Sequence, residues 1–443
     1  MSNPIEAPSS LSGTDTAQEG WRVVGGTVLR GNIRPSGSKN GVLPTLAATL
    51  LLDGETVLQS VPRVADVETM VALLRALGLR VDELSEGALR VINQGITSHT
   101  APEELVQRMR ASHYLLGPLV ARLGRAELPL PGGCDIGRRP VDYIIAGLEP
   151  LGVEAHLERD RIVATARRLV GATVSLAPDY RSPGATFNVL MAAVLAEGRT
   201  VIENASFEPD VVSFCRYLTA AGARIEGVGG PRLVVQGVDA LSGAAHQINA
   251  DRLEAGTFIC AAAATRGEVV VEQMTARDLG SAVDKMREAG IEIREEGEGL
   301  RASCFGRPRA VSVVTEPFPG FPTDLQPPFA AVLATAEGRS AIRESIFDHR
   351  LQYVDQLVGM GARAELLDSR QAAITGVEKL RGAEVEAHNI RDGAALMIAA
   401  LSAEGESVVW GREFVARGHE GFGEKLRSLG AQLEPHSRDT GRQ

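Results

Sequence analysis

The segment LPGGCDIGRRPVDY (130–143) places one cysteine, Cys134, among glycines and shortly before Arg138 and Arg139. Nearby cations lower the pKa of a thiol from its usual value of about 8.5, and only the thiolate is a good nucleophile. A thiol that titrates near neutrality can also donate a proton as a general acid. We therefore predict that Cys134 is catalytic; the alternative is a small buried core residue. The other cysteines, Cys215, Cys260 and Cys304, lie in apolar or strand-like surroundings and are predicted to be core residues.

Two further segments carry groups that could take part in the same chemistry. PSGSKNGVLP (35–44) places Lys39 and Asn40 where a strand leads into a helix. A lysine at a helix start opposes the helix dipole, which binding of an anion would explain; the alternative is a solvated lysine. PFPGFPTDLQPPF (317–329) encloses Asp324 in a proline-rich turn. This carboxylate could act as a general base or orient an acceptor, or it could be the N-cap of the following helix.

Several arginines follow predicted turns instead of lying on charged helix faces: Arg110, Arg350, Arg391 and Arg417. Arginine binds carboxylates and phosphates through paired hydrogen bonds. Each of them, taken alone, also fits a surface salt bridge. Together with Lys39 and Arg139, which come from other parts of the chain, they predict a local cationic cleft for a multiply charged anion.

A repeated pattern of glycines indicates the elements that position these residues. A helix that ends in glycine and leads into a strand recurs every 68 to 74 residues, and a second, Ala/Leu-rich helix that ends in glycine recurs every 67 to 74. The first set is Gly78, Gly152, Gly222, Gly290, Gly361 and Gly430, and the second is Gly54, Gly124, Gly198, Gly267, Gly338 and Gly405. Glycine ends helices because it adopts the left-handed conformation at little cost. Solenoid repeats are shorter, roughly 20–45 residues, so we predict two globular domains of three α/β modules each.

The modules also predict domain bounds and helix burial. We expect a flexible tail over residues 1–20, a first domain over 39–249, and a second domain built from 21–38 and 250–435. The cleft between the domains is the expected ligand site. The helices before the second set of glycines are nearly all apolar and should be buried, whereas those before the first set are amphipathic and should lie outside.

Composition excludes several classes of function. The chain of 443 residues has 46 basic and 56 acidic side chains and a formal net charge of −10, which disfavours a general nucleic-acid binder. No apolar run reaches the roughly 18–20 residues that span a bilayer. The four cysteines show no CxxC spacing, so we expect no zinc site and a cytoplasmic location. Phosphate-loop, dinucleotide-binding, HExxH and GxSxG motifs are absent from the sequence, and no metal or cofactor is expected.

The short motifs together resemble those of the enolpyruvyl transferases, in the branch that uses UDP-N-acetylglucosamine as acceptor. The likeness runs from about Val24 to Leu433 and is carried by SGSKN, RMRAS, PGGCDIGRRPVD, SPGAT, DRLEAGTF, FPTDLQ, IFDHR, IRDG and ARGHE. The branch that makes 5-enolpyruvylshikimate 3-phosphate lacks the cysteine loop and is set aside. The resemblance implies an α/β fold of the EPSP synthase type, an inside-out α/β barrel of two domains with three repeated modules each.

The resemblance also implies a reaction and its residues. Phosphoenolpyruvate is protonated at its methylene carbon by Cys134, which also forms a phospholactoyl adduct. The sugar 3-hydroxyl, deprotonated or oriented by Asp324, then attacks, and a tetrahedral ketal expels phosphate in a step of peptidoglycan precursor synthesis for the cell wall. Lys39 is implied in catalysis as well. The residues implied for phosphoenolpyruvate are Lys39, Asn40, Arg139, Arg350, Arg391 and Arg417, and those for the nucleotide sugar are Arg110, Arg139, Pro140, Val141, Asp142, Tyr143, Ser182, Gly184, Asp324 and Ile346.

Four positions depart from the pattern of this branch. Pro183 replaces the usual Val, Asn389 replaces Asp, Ala416 replaces Asp or Asn, and His419 replaces Tyr. Proline lacks an N–H that could bind the diphosphate, and the lost charge at 389 should weaken the orientation of Arg391. The acceptor site is therefore expected to differ, and the alternative function is transfer to another uridine nucleotide such as UMP, as in nucleoside-antibiotic biosynthesis. A third hypothesis, an inactive repeat scaffold that binds partners, is disfavoured by the presence of Cys134, Lys39 and Asp324.

Overall fold

The computed structural model describes residues 18–85, 87–130, 132, 141–177 and 180–438. Its N-terminal segment forms strands β1 (Gln18–Val24) and β2 (Arg30–Ile33). Residues 18–20 of the predicted tail therefore belong to a strand, because β1 is paired along its whole length with one strand from the far end of the chain and, from Gly20 onward, with a second. Residues 1–17 lie outside the described part.

The first half of the molecule is residues 39–247. Its helices are α1 (Lys39–Ala48), α2 (Ala65–Ala76), α3 (Glu103–Arg108), α4 (Leu116–Leu123), α5 (Asp142–Leu148), α6 (Pro183–Ala193) and α7 (Pro209–Ala220), with 3-10 helices at Thr49–Leu51, Arg110–Leu115 and Glu149–Leu151. Its strands are β3 (Leu52–Gln59), β4 (Arg80–Ser85), β5 (Ala88–Asn93), β6 (Arg125–Pro129), β7 (Glu154–Glu158), β8 (Arg161–Thr165), β9 (Thr173–Ser175), β10 (Arg199–Glu203), β11 (Arg224–Glu226), β12 (Arg232–Gln236), β13 (Leu241–Ser242) and β14 (Ala245–Gln247).

The second half is residues 252–438 together with β1 and β2. Its helices are α8 (Arg252–Ala264), α9 (Ala276–Leu279), α10 (Ala282–Glu288), α11 (Gln326–Leu333), α12 (Tyr353–Gly359), α13 (Ile390–Ser402), α14 (Arg412–Ala416) and α15 (Phe422–Ser428), with a 3-10 helix at Thr323–Leu325. Its strands are β15 (Glu268–Glu272), β16 (Glu292–Glu296), β17 (Gly299–Ser303), β18 (Val313–Val314), β19 (Arg339–Arg343), β20 (Arg363–Asp368), β21 (Gln371–Thr375), β22 (Glu384–Glu386), β23 (Glu406–Trp410) and β24 (Gln432–Arg438).

The strands of the described residues form six sheets, one for each predicted module. The same order recurs: β9-β10-β12-β11, β2-β15-β17-β16 and β18-β19-β21-β20. In each, the first pair is parallel and the others are antiparallel. Distant segments complete three of the sheets, because β1 lies between β23 and β24, β2 runs beside β15, and β13 and β14 run beside β3.

The chain passes between the two halves at two adjacent crossings. Ser38 N–H donates to the carbonyl of Asn249 at 2.7 Å, and Asp251 N–H donates to the carbonyl of Ser36 at 2.8 Å. These antiparallel bonds tie the two crossings together immediately before α1 and α8. The first turns of both helices are therefore fixed at the boundary between the halves.

The predicted left-handed conformation is confirmed at eleven of the twelve glycines, but not every one of them ends a helix: Gly54 lies within β3, and Gly198, Gly338 and Gly405 lie in turns after helices that end at Ala193, Leu333 and Ser402. All six of the first set have φ between 87° and 107°, and five of the second set have φ between 67° and 105°. The exception is Gly267, where Arg266 takes the left-handed conformation instead, with φ 57°. A Cβ on Gly267 would lie 1.9 Å from the carbonyl oxygen of Leu29, so this glycine is required for close approach of the backbone to β2.

Apolar side chains form two separate cores. One core contains residues from Val42 to Ile248, and the other contains residues from Trp21 to Ile33 and from Leu253 to Leu433. The Ala/Leu-rich helices α8, α11 and α13 pack on one another at the centre of the second core, as predicted. Amphipathic helices such as α2 and α7 bury only one face. Within the described residues, no helix is long and apolar enough to cross a membrane.

Candidate active site

A cavity of about 660 Å³ lies between the two halves, within the range of ~300–1,000 Å³ that is typical of ligand pockets. It brings together most of the residues predicted from sequence, namely Lys39, Asn40, Arg110, Val141, Tyr143, Ser182, Gly184, Asp324, Ile346, Arg350, Arg391 and Arg417. Asp142 does not line the cavity and is exposed, because successive residues of α5 point in different directions. Cys134, Arg139 and Pro140 lie outside the described residues.

Positive charge predominates at this cavity although the chain as a whole is acidic. The described lining residues include eight cations, Lys39, Arg110, Arg181, Arg252, Arg350, Arg370, Arg391 and Arg417, and five acids, Asp66, Glu208, Glu316, Asp324 and Asp348. The predicted local excess of cations is therefore confirmed. An excess of one sign of charge in a low-dielectric cleft concentrates counter-ions, here anions.

The carboxylate of Asp324 lies between two buried arginines. Arg350 Nη2 donates to Oδ1 at 2.6 Å, and Arg391 Nη2 donates to Oδ2 at 2.8 Å. The N-cap residue of α11 is Leu325, which makes no side-chain capping bond. The alternative interpretation of Asp324 as a helix N-cap is therefore wrong. Its carboxylate instead occupies the kind of double-arginine site that would also bind a substrate carboxylate.

A second carboxylate, Asp66, joins two cations from opposite halves of the molecule. Lys39 Nζ donates to Oδ2 at 3.2 Å, and Arg417 Nε donates to Oδ1 at 3.1 Å. The Lys39 side chain is only 13% exposed, so the alternative of a solvated lysine is wrong. Both cations line the cavity, and they are brought together at the two oxygens of one carboxylate. Asp66 was not among the site residues predicted from the sequence.

A further ion pair across the boundary was also not predicted from the sequence. Arg252 Nη2 donates to Glu208 Oε2 at 2.8 Å, and the guanidinium lies 5.4 Å from the centre of the Phe318 ring. Phe318 in turn meets Phe207 edge to face, with the ring centres 5.8 Å apart. Burial raises the pKa of Glu208, and Arg252 opposes that shift. These contacts connect the wall of the cavity in one half to the wall in the other.

Arg391 has a second partner in addition to Asp324. Its Nη1 donates to His419 Nε2 at 3.0 Å, and both side chains are buried. Arginine has no acceptor, so Nε2 must be unprotonated and the imidazole is neutral with its proton on Nδ1. Asn389 bonds the backbone N–H groups of Arg391 and Asp392 as the N-cap of α13. The expectation that Asn389 weakens the orientation of Arg391 is wrong, because Asp324 and His419 hold the guanidinium.

Comparison with known proteins identifies the family. The sequence model described as EPSP synthase (3-phosphoshikimate 1-carboxyvinyltransferase) matches residues 23–426. The chain belongs to the EPSP synthase family. A UDP-N-acetylglucosamine 1-carboxyvinyltransferase of Symbiobacterium thermophilum is 45% identical over 414 residues, which is 93% of this chain and 97% of that protein. One from Carboxydothermus hydrogenoformans is also 45% identical, over 92% of this chain and 96% of the relative.

Solved structures agree with this assignment at the level of the fold. The enolpyruvyl transferase NikO from Streptomyces tendae superimposes with a TM-score of 0.86 at 23% identity, covering 96% of this chain and all of that one. EPSP synthase from Acinetobacter baumannii gives 0.70 at 20% identity, covering 94% of this chain. At these identities the likeness concerns the fold alone. The protein therefore has the inside-out α/β fold of the EPSP synthase family, as predicted. The family model and the relatives at 45% identity show that it is a 1-carboxyvinyltransferase.

The first turn of α6 contains Pro183, where the resemblance implied a valine. Ser182 is the N-cap, and its hydroxyl accepts from Ala185 N–H at 3.2 Å. Pro183 is the first helical residue, a position where proline is favoured because the N–H has no partner within the helix. The side chain of His113 lies over the next residue, since a Cβ on Gly184 would be 3.1 Å from its Nε2. Pro183 therefore removes one N–H donor while fitting the helix well.

His419, which replaces the tyrosine usual in the branch that the motifs resemble, gives a pH-dependent prediction. Burial lowers its pKa well below 6.5, and the charge of Asp324 opposes this shift. The cations that lower it further are Arg391, Lys425 and Lys39. The unfolded chain binds a proton here as the pH falls through about 6.5 and the folded chain does not, so this residue makes the free energy of unfolding decrease with falling pH.

The variant His419→Gln removes this pH-dependent contribution to the free energy of unfolding, while its amide oxygen can still accept from Arg391. We expect the free energy of unfolding of the variant to fall less steeply between about pH 6 and 5, by up to ~1.4 kcal/mol per pH unit. Denaturant unfolding of both proteins across this range measures the difference. Parallel pH profiles for the variant and the wild type would show that the histidine is not held neutral.

Proposed function

We propose that this protein transfers the enolpyruvyl group of phosphoenolpyruvate to the 3-hydroxyl of UDP-N-acetylglucosamine and releases phosphate. The observation that carries the proposal is the placement of Asp324 between Arg350 and Arg391, in one cavity with the pair Lys39 and Arg417. Phosphoenolpyruvate carries a carboxylate and a phosphate, and these two pairs of cations match its two anionic groups. The names of the curated relatives support the acceptor.

Each group has a role in this reaction. Arg350 and Arg391 bind the carboxylate of phosphoenolpyruvate, which releases Asp324 to accept the proton of the attacking hydroxyl. Lys39 and Arg417, with Arg139, bind the phosphate and remain in place as it leaves. The reaction expels a multiply charged anion. Cations that are already fixed in place stabilise this charge without reorganisation of solvent. In the proposal Cys134 donates the proton to the methylene carbon.

The acceptor occupies the remaining length of the cavity. The residues proposed for it are Arg110, Arg139, Pro140, Val141, Tyr143, Ser182, Gly184 and Ile346, with Asn40 next to the sugar. The alternative acceptor, another uridine nucleotide such as UMP, is not favoured, because relatives at 42–45% identity are named for UDP-N-acetylglucosamine. The product is then a precursor of peptidoglycan.

The proposal extends to the organisation of the chain and to its location. We propose that residues 39–249 and residues 21–38 with 250–435 are two domains that close around the substrates, since each contains its own apolar core. We also propose a cytoplasmic location. The free, buried thiols of Cys215, Cys260 and Cys304 fit a reducing compartment.

An acceptor screen tests the proposed function. Phosphate release from phosphoenolpyruvate is measured with UDP-N-acetylglucosamine, UMP and shikimate 3-phosphate at equal concentrations. We expect the rate with UDP-N-acetylglucosamine to exceed the rates with UMP and shikimate 3-phosphate by at least about 100-fold. A site that hydrogen-bonds a substrate group leaves its own polar atoms unpaired when the substrate lacks that group. Faster turnover with UMP would replace the proposed acceptor, and no turnover with any of the three would refute the function.

A further inference from the structure

Glu344 is a fully buried carboxylate that follows β19 and binds the two loops on either side of it. Its Oε1 accepts from Ile346 N–H at 2.8 Å and Phe347 N–H at 3.1 Å. The hydroxyl of Thr315 donates to the same oxygen at 2.9 Å, and that of Thr323 donates to Oε2 at 2.9 Å. Its side chain is 0% exposed. A carboxylate can be buried in this way only when hydrogen bonds compensate for the lost water.

The hydrogen-bond donors to Glu344 belong to two segments that reach the cavity. Thr323 directly precedes Asp324, the proposed base. Ile346 lines the cavity at the acceptor side, and the ring of Phe347 lies 5.7 Å from the guanidinium of Arg350. One carboxylate therefore bonds to both segments, and the distance between them depends on it.

Thr315 strengthens the same connection. Its hydroxyl donates to Glu344 and accepts from Ser345 N–H at 2.9 Å, and Ser345 Oγ donates back to the Thr315 carbonyl. Three consecutive N–H groups, those of residues 345 to 347, are thereby fixed. The start of this loop is therefore held by Glu344 and Thr315, and Arg370 holds it further through bonds to the Ser345 carbonyl and to Asp348.

We propose that Glu344 is a positioning residue that fixes Asp324 relative to the acceptor-side loop at Ile346. This inference rests on the proposed function, since it assigns the geometry that the transfer requires. Displacement of a reacting group by about 1 Å can cost on the order of 100-fold in rate. Glu344 touches no substrate itself, because its side chain is completely covered by protein.

The first test uses variants that change one bond at a time. In Thr323→Val the bond to Oε2 is lost beside Asp324, and we expect kcat to fall about tenfold, the effect of one lost hydrogen bond, with the KM for phosphoenolpyruvate unchanged within about twofold. Thr323→Ser keeps the hydroxyl and should restore the wild-type rate. Thr335→Val is the matched control, because it removes a buried hydroxyl bond to Val332 away from the cavity. Equal kcat in Thr323→Val and the wild type would overturn the proposal.

The second test separates position from charge. Glu344→Gln can keep the positions of both segments, since its amide oxygen still faces the three donors with two lone pairs and its NH2 donates to the Thr323 hydroxyl. We expect this variant to retain kcat within about fivefold, and Glu344→Ala to lose on the order of 100-fold. If the Gln variant loses as much activity as the Ala variant, the carboxylate acts through its charge and the positioning role is refuted.

A readout that does not need turnover distinguishes this inference from the proposed function. Amide hydrogen exchange at Ile346 and Phe347, followed by NMR or by mass spectrometry of short peptides, reports the bonds to Oε1 directly. Protection should persist in Glu344→Gln and drop at least tenfold in Glu344→Ala, with the peptide that contains Thr335 unchanged. If the wild type releases phosphate with none of the acceptors, the proposed function is refuted. If protection at Ile346 and Phe347 is unchanged in Glu344→Ala, the positioning role is refuted.

Discussion

Replacing Asp324 with alanine is expected to lower kcat for phosphate release by roughly 10²–10⁴-fold, the contribution of a positioned general base. The KM for phosphoenolpyruvate should stay the same or decrease. In the structure the carboxylate of Asp324 is bound to Arg350 and Arg391, so it competes with a substrate carboxylate for the same guanidinium groups. Removing it takes away both the base and the competitor.

Steady-state kinetics with phosphoenolpyruvate varied at saturating acceptor measures this divergence between kcat and KM. Asp324→Asn retains the shape and one acceptor oxygen but not the charge, and it should lose activity almost as fully as the alanine variant. Asp368→Ala, an exposed aspartate at the end of β20 that bonds only neighbouring residues in the described part of the chain, is the control. A large increase in KM for phosphoenolpyruvate with little change in kcat would show that Asp324 orders the arginines and is not the base.

The fold was predictable because its main signal is local and repeated. A left-handed glycine after a helix can be recognised from its sequence neighbours alone. The two glycines predicted for each of six modules therefore indicated the correct number of sheets. Gly267 shows the limit of this reasoning. The motif is present there, yet the left-handed residue is Arg266, and the backbone of Gly267 lies against Leu29, a residue distant in sequence that precedes β2.

Part of the candidate site was predicted from the sequence. The residues that were not predicted escaped notice for one shared physical reason. Asp66 lies in the first turn of α2, where an acidic residue already has a local explanation in the helix dipole. Its functional contact is with Arg417, 351 residues away. Glu344 likewise reads as one of many acids beside a strand. Sequence motifs identified the groups expected to touch substrate, whereas the groups that hold them in place became visible only in the folded chain.

Asn389, one of the positions that depart from the family pattern, was misjudged for the same reason. Asn389 was expected to affect the side chain of Arg391, but a polar residue before a helix caps it, and Asn does this as well as Asp. His419 then takes over the contact with the guanidinium from another segment. The contact with His419 depends on packing between α13 and the residues that follow α14, which no local pattern reports.

Cys134 supports the second large prediction. Cys134→Ala is expected to reduce kcat by about 10²–10⁴-fold, since it removes the proposed general acid, whereas Cys134→Asp, which keeps a proton donor, should retain most of the activity. An epoxide of the fosfomycin type should alkylate the wild type once and inactivate it. Mass spectrometry of the digested protein locates the adduct, and phosphate release measures the residual activity.

The other three thiols make this experiment selective. Burial raises the pKa of Cys215 to about 12 and also raises the pKa of Cys260 and Cys304. Thiols that are buried and protonated do not react with electrophiles, so a single adduct should form, at Cys134. Cys215→Ser serves as the control and should be alkylated and inactivated like the wild type. An alkylated Cys134 with full activity, or a Cys134→Ala variant as fast as the wild type, would remove this thiol from the mechanism and leave the proton donor to be sought among the groups around Asp324.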